Sequence, residues 1–92
     1  MTYTILDYSY KKAKDIGVEI KPSQRKNKKI DVYKNDIYIC SIGDDRYLDY
    51  PYYIKQYGKE YADKRRELYK IRHHRYRHNE NTPSYFADKI LW

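Results

Sequence analysis

Cysteine, glycine and long apolar runs are scarce in this chain, and each scarcity excludes something. There is one cysteine, Cys40, in 92 residues, so no internal disulfide can form, and the composition fits a reducing compartment. Three glycines leave no room for a glycine-rich phosphate loop. No Ser-His-Asp or Cys-His arrangement appears, and a non-enzymatic protein is expected. No apolar run approaches the length of a membrane span, and no membrane contact is expected. The N-terminus reaches Asp7 too early for the apolar centre of a signal peptide. His73, His74 and His78 lie near one another, but without a cysteine pair their spacing is poor for zinc. Asp44, Asp45 and Asp49 read better as a hairpin exit and a helix cap than as converging oxygen ligands. No metal and no cofactor are therefore expected.

What the chain does have is tyrosine and positive charge. Aliphatic residues are few, and fourteen tyrosines must supply much of the apolar surface, each with a hydroxyl that needs a partner or water. The charged fraction of 36% would by itself suggest disorder, but the dense aromatics give the chain something to bury. The length fits a single small basic domain over 1–92. Net charge is +7, unevenly spread. Residues 1–30 hold eight basic and three acidic side chains, residues 31–58 three and five, residues 59–78 eight and three. Two basic blocks around a mildly acidic middle make a field that attracts polyanions.

The strongest pattern is 59–78, KEYADKRRELYKIRHHRYRH, which reads as one long basic helix. At about 100° per residue, Ile54, Tyr57, Tyr61, Leu68 and Ile71 share a side, extended by Ala62, Tyr69 and Tyr76. Lys59, Asp63, Arg66, Lys70 and Arg77 fall opposite. The apolar side is expected to face the core and the basic side to face water. Arg65 and Arg72 depart from the pattern because they point with the tyrosines. Either their stems pack while their heads reach solvent or a structural carboxylate, or they line a ligand-facing groove beside Tyr69 and Tyr76.

Before the helix, TYTIL at 2–6 is an extended candidate. Asp7 can cap a helix over 8–16 that Gly17 ends, and VEI at 18–20 suggests a short strand. Residues 24–29, QRKNKK, read as a cationic loop. Residues 30–42 alternate as two strands around Asn35-Asp36, a hairpin turn in which both residues tolerate positive φ. The second strand is apolar on both faces, which predicts a central position. Asp49 followed by Pro51 predicts the start of a short helix over 51–57, and Gly58 kinks it or divides it from the long one. Ser84 can cap a final turn of helix. The closing Ile90-Leu91-Trp92 should be tied into the core, with Trp92 buried. The predicted fold class is α+β: a small antiparallel sheet centred on 30–42, packed by the long basic helix and the N-terminal helix.

Ser41-Ile42-Gly43, Tyr47-Leu48-Asp49-Tyr50-Pro51, the run from Tyr61 to Tyr69, Ile71-Arg72-His73 and the closing run from Tyr85 to Trp92 together resemble a family of short basic proteins encoded by large DNA viruses of algae and amoebae. Ile20-Lys21-Pro22-Ser23 and Lys29-Ile30-Asp31-Val32 extend the likeness over nearly the whole chain. Where that family often has glycine in the hairpin turn and before the last aromatic segment, Asp36 and Pro83-Ser84 stand here. The resemblance implies a viral origin and a place in the cytoplasmic viral factory or in the virion. No residue role follows from it.

The expected function is sequence-independent nucleic-acid binding, to DNA before RNA, through phosphates. The alternative is a small structural or assembly component that contacts other virion proteins. The candidate contact residues are Lys59, Arg66, Lys70, His73 and Arg77. They lie within about 60° on the back of the helix and span roughly 27 Å. Arg25, Lys26, Lys28 and Lys29 of the loop join them.

Overall fold

The computed structural model describes residues 3–75 and 78–92. Its elements, in chain order, are α1 (Asp7–Asp15), β1 (Glu19–Pro22), β2 (Lys28–Lys34), β3 (Ile37–Asp44), α2 (Tyr50–Tyr57), α3 (Lys59–Arg72) and α4 (Pro83–Leu91). The fold class is α+β, with one antiparallel sheet in the order β1-β2-β3. The hairpin forms where the alternation places it. Asn35 and Asp36 both take positive φ, 52° and 65°, as the two-residue turn requires. Ile30 pairs with Ile42 and Val32 with Cys40 across the hairpin, and Ile20 pairs with Val32 on the other side.

Several expectations are corrected. The central strand is β2, not β3. Ile30 and Val32 of β2 are wholly buried, while Ile37 and Tyr38 at the start of β3 are 68% and 41% exposed. Being apolar on both faces therefore did not make β3 central, because its outer edge and its first turn face solvent. Residues 3–6 are extended but join no strand, and the first helix takes Leu6 rather than Asp7 as its N-cap. The last helix is capped by Thr82, whose hydroxyl accepts from the Tyr85 amide, not by Ser84. The long helix ends at Arg72, with His73 as its C-cap; of its expected length to 78, Tyr76 and Arg77 lie outside the described residues.

The largest correction concerns what covers the sheet. The main core joins Ile5, Ala13, Val18, Ile20, Ile30, Val32 and Ile42 to Phe86, Ile90 and Leu91, so α1 and α4 close over the strands. The long helix α3 instead packs on α2 in a helical pair. A second, smaller core of Tyr50, Tyr53 and Ala62 lies between those two helices. Gly58 separates them at φ 90° and ψ 165°, a left-handed backbone that makes a clean break rather than a kink. Trp92 is half-buried rather than buried and packs against both cores, which joins them.

A buried ion pair ties the sheet to the helical pair. Asp49 caps α2 by accepting from the Tyr52 amide at 3.3 Å, as the sequence predicts. It also accepts from Lys29 Nζ at 3.0 Å and from the Tyr3 hydroxyl at 2.6 Å. Both members of the pair are almost completely buried. Lys29 Nζ lies 5.4 Å from the centre of the Tyr3 ring, a cation–π contact that adds to the pair. Burial, and then the Asp49 charge, push the Tyr3 phenol far above its ordinary range.

Candidate nucleic-acid interface

The faces of α3 are not those the periodicity predicts. Its inner side is Ala62, Arg66, Tyr69 and His73, and its outer side carries Tyr61, Leu68 and Ile71, which are 44%, 56% and 67% exposed. The physical reason is the neighbour. α3 lies on α2, so Ala62 gives the close approach and Tyr69 gives a flat ring, while the cations between them find aromatic and acidic partners. The Arg66 guanidinium sits 3.6 Å over the Tyr50 ring and donates to the Tyr8 hydroxyl at 3.2 Å. Lys70 pairs with the buried Asp88 of α4. Two residues expected on a solvated strip are thus part of the packing.

The other candidate cations are scattered. Lys59 is exposed and donates to Asp63 at 2.9 Å, which also accepts from the Tyr50 hydroxyl at 2.6 Å. Arg25 is exposed and donates to the Tyr38 hydroxyl at 3.1 Å. Lys26 is exposed in the turn before β2. Lys29 is turned inward to Asp49 and is not available to a ligand. Arg77 lies outside the described residues. The expected strip of Lys59, Arg66, Lys70 and His73 therefore does not form one open surface.

What does come together is the groove that Arg65, Tyr69 and Arg72 suggest. A cleft of about 540 Å³ opens between α3, the end of β3 with the loop after it, and α4. Its cations are Lys28, Arg65 and Arg72, with Lys29 behind, and its rings are Tyr47, Tyr53, Tyr69, His73 and Trp92. Tyr69 stacks on Trp92 with centroids 4.4 Å apart and planes within 9°, and on His73 at 4.2 Å and 27°. Tyr53 meets Trp92 at 6.1 Å and carries the Arg65 guanidinium at 5.4 Å. Tyr47, 65% exposed, stands at the rim.

The electrostatics of this cleft favour an anion. Among the described residues, Lys28, Arg65 and Arg72 form no ion pair. Among the described residues the lining holds one carboxylate side chain, Asp44, which is clamped by Arg46 at 3.0 and 2.8 Å, and those hydrogen bonds hold its carboxyl at about 2. Burial, with Arg72 adding, lowers the His73 imidazole below its ordinary 6.5. Burial and the Asp88 charge raise the Tyr69 phenol to about 12. At neutral pH the site presents neutral rings flanked by three uncompensated cations.

Of the residues proposed from sequence, Lys28, Lys29 and His73 line this cleft, Lys29 with its ammonium turned to Asp49. Tyr47, Tyr53, Trp92 and the Arg65–Arg72 pair complete it. The signal for the arginines was their presence on the aromatic side of the helix; nothing local pointed to Tyr47 or Tyr53. No helix among the described residues is long and apolar enough to cross a membrane, and none of their His, Cys, Asp and Glu side chains gather in a group of three that could hold a metal ion. No protein-family model matches the chain, and no curated protein or solved structure matches it.

Proposed function

We propose that this is a non-enzymatic protein that binds nucleic acid without regard to sequence, in the setting of a large DNA virus as the resemblance implies. The observation that carries the reading is the set of unpaired cations Lys28, Arg65 and Arg72 around an aromatic-lined cleft. Phosphate contacts of this kind hold a strand in place and carry little sequence information. The exposed Arg25 and Lys26 of the preceding turn add to the field. Plots of log K against log salt test it, on duplex and on single strands. Changing Lys28, Arg65 and Arg72 together to Gln is expected to flatten the slope by about two to three units, since each neutralised phosphate contributes roughly 0.7 to 0.9. Absence of binding to either form at 50 mM salt refutes the reading.

A second reading, an assembly component, is supported by the outer side of α3. Tyr61, Leu68 and Ile71 form an exposed stripe on α3, and with Lys64 they repeat at the three- and four-residue steps of a heptad seam. Glu60 and Glu67 flank it on one side, Arg65 and Arg72 on the other. In two parallel helices, Glu60 and Glu67 of one copy would meet Arg65 and Arg72 of the other, five residues on, so the partner that fits is a second copy of this chain. Sedimentation equilibrium tests it. Glu60→Lys with Glu67→Lys should disperse dimers, and adding Arg65→Glu with Arg72→Glu should restore them. A wild-type monomer at millimolar concentration removes this reading. Because Arg65 and Arg72 cannot serve both partners, nucleic acid would also compete with the dimer.

A further inference from the structure

The shape of the cleft bears on which form of nucleic acid it takes. A phosphate contact needs only an exposed cation, yet this site is concave. Its volume of about 540 Å³ falls in the range of sites that enclose most of a small ligand, roughly 300–1,000 Å³. A duplex keeps its base faces inside its own stack and presents a convex backbone, so it reaches Arg65 and Arg72 at the mouth but sends nothing inside. A single strand has free base faces, and every base can stack on a ring.

The lining is ordered to suit such a strand. Trp92, Tyr69 and His73 form a stack in the lining, in which Tyr69 is covered on both faces and Trp92 is half-buried at one end. At the rim, Tyr47 is 65% exposed, and among the described residues its ring meets no other ring; the Arg46 guanidinium lies 5.7 Å from its centre. Arg65 and Arg72 stand one heptad apart on α3, about 10 Å at 1.5 Å per residue, so they can meet different phosphates of one strand. Both are exposed, and Lys28 is half-buried in the same lining. Among the described residues the carboxylate side chain in the lining, Asp44, is held by Arg46.

We propose that the cleft is a single-strand site: a base of DNA or RNA stacks on the exposed Tyr47 ring and enters the cleft lined by Trp92, while the flanking phosphates lie on Arg65, Arg72 and Lys28. The proposal rests on the nucleic-acid reading above and adds the bases to it.

The chain's one tryptophan is in the cleft, so its emission reports entry directly. Four twelve-residue ligands separate the possibilities at 50 mM salt: oligo(dT), oligo(U), an abasic phosphodiester strand and a duplex. Emission and anisotropy are followed for the wild type, for Tyr47→Ala, and for Arg65→Gln with Arg72→Gln, each checked for an unchanged melting curve. Oligo(dT), oligo(U) or both are expected to bind at least tenfold more tightly than the abasic strand and to quench Trp92, which the abasic strand leaves unquenched. A preference between those two polymers identifies the natural strand. Tyr47→Ala is expected to weaken the base-bearing strand by about five- to a hundredfold, the range of one lost stacking contact, and to leave the abasic strand unchanged. Equal affinity for abasic and base-bearing strands, with Tyr47→Ala silent, overturns the single-strand site while leaving phosphate binding intact. No binding to any of the four ligands overturns the nucleic-acid reading itself.

Discussion

Lys29 sits in the most basic stretch of the N-terminal half, yet its charge is spent inside the protein, and that makes a sharp prediction. Lys29→Met keeps the length and apolar stem and deletes the ammonium. Asp49 is left with the Tyr3 hydroxyl at 2.6 Å and the Tyr52 amide at 3.3 Å as its donors. Removing one partner of a buried ion pair costs about 3–5 kcal/mol, because a charge stays behind without its counter-charge. The two remaining hydrogen bonds place Lys29→Met near the lower end, about 3 kcal/mol. Asp49→Asn leaves the buried ammonium without its partner charge, although the amide oxygen and the Tyr3 ring can still meet it, and should cost about 3–5 kcal/mol by the same argument. The double variant buries neither charge. It should be less destabilised than the two losses added together, with a coupling of about 2–3 kcal/mol. Urea unfolding followed by Trp92 emission measures all three. A Lys29→Met loss under about 1 kcal/mol, or strict additivity in the double variant, refutes the pair as an internal tie. The salt slope of nucleic-acid binding should be the same in folded Lys29→Met as in the wild type, since that ammonium contacts no ligand.

Arg66→Gln is expected to destabilise by about 1.5–3 kcal/mol, from the loss of a close cation–π contact and a hydrogen bond, with no change in salt slope; Arg65→Gln, one residue earlier and exposed, should do the reverse. Gly43→Ala is expected to cost at least about 2 kcal/mol in urea unfolding, because φ is +80° there and an added Cβ would come within 2.9 Å of Leu91 and Lys29. Raising the pH should unfold the protein through its tyrosines. The phenols of Tyr3, Tyr50, Tyr52 and Tyr69 are all raised in the fold, first by burial, so the stability they hold is complete below the unfolded value of 10.0 and is lost above it, through about 12 for Tyr69. Absorbance at 295 nm should show a late-titrating group of tyrosines coincident with loss of the far-ultraviolet helical signal; a single titration near pH 10 with the helices intact refutes this. His73 titrates in the opposite sense: its value is lowered in the fold, so its stability is present above pH 6.5 and falls as the pH drops, which proton resonance of its ring reports as a midpoint below 6.5.

The parts of the fold that were legible in the sequence are those set by local rules. The hairpin turn was legible because Asn35 and Asp36 are among the few residues that accept positive φ. The start of α2 was legible because Asp49 and Pro51 carry a capping pattern with one meaning. The orientation of α3 was not. Its tyrosines, Leu68 and Ile71 outweigh Ala62 and Tyr69 on a hydrophobic count, but burial is decided by the surface the helix meets. Here that surface is α2 with Tyr50 and Tyr53, and it takes in Arg66 more readily than Ile71, because tyrosine faces bind guanidinium. In a chain whose apolar area is mostly tyrosine, a cation can be an inside residue, and periodicity of aliphatic side chains loses its force. The cleft was half legible for the same reason: Arg65 and Arg72 stood out on the aromatic side, whereas Tyr47, Tyr53 and Trp92 reach it from three other places along the chain.

The division of the cations also explains why net charge alone is a poor guide to the site. Lys29, Arg66 and Lys70 carry formal positive charge, but Asp49, the Tyr50 ring with the Tyr8 hydroxyl, and Asp88 absorb it within the fold. Lys59 and Arg46 are balanced at the surface by Asp63 and Asp44. Around the cleft, Lys28, Arg65 and Arg72 have no such balance. The Lys29–Asp49 tie and the Trp92–Tyr69 stack hold the sheet, α3 and α4 in the positions that bring those three together. The internal cations thus act on function through geometry, and a variant that loses one of them should fail by unfolding before it fails by weaker binding. The cleft cations act through the field they leave uncompensated, and their loss should weaken binding in a protein that still folds.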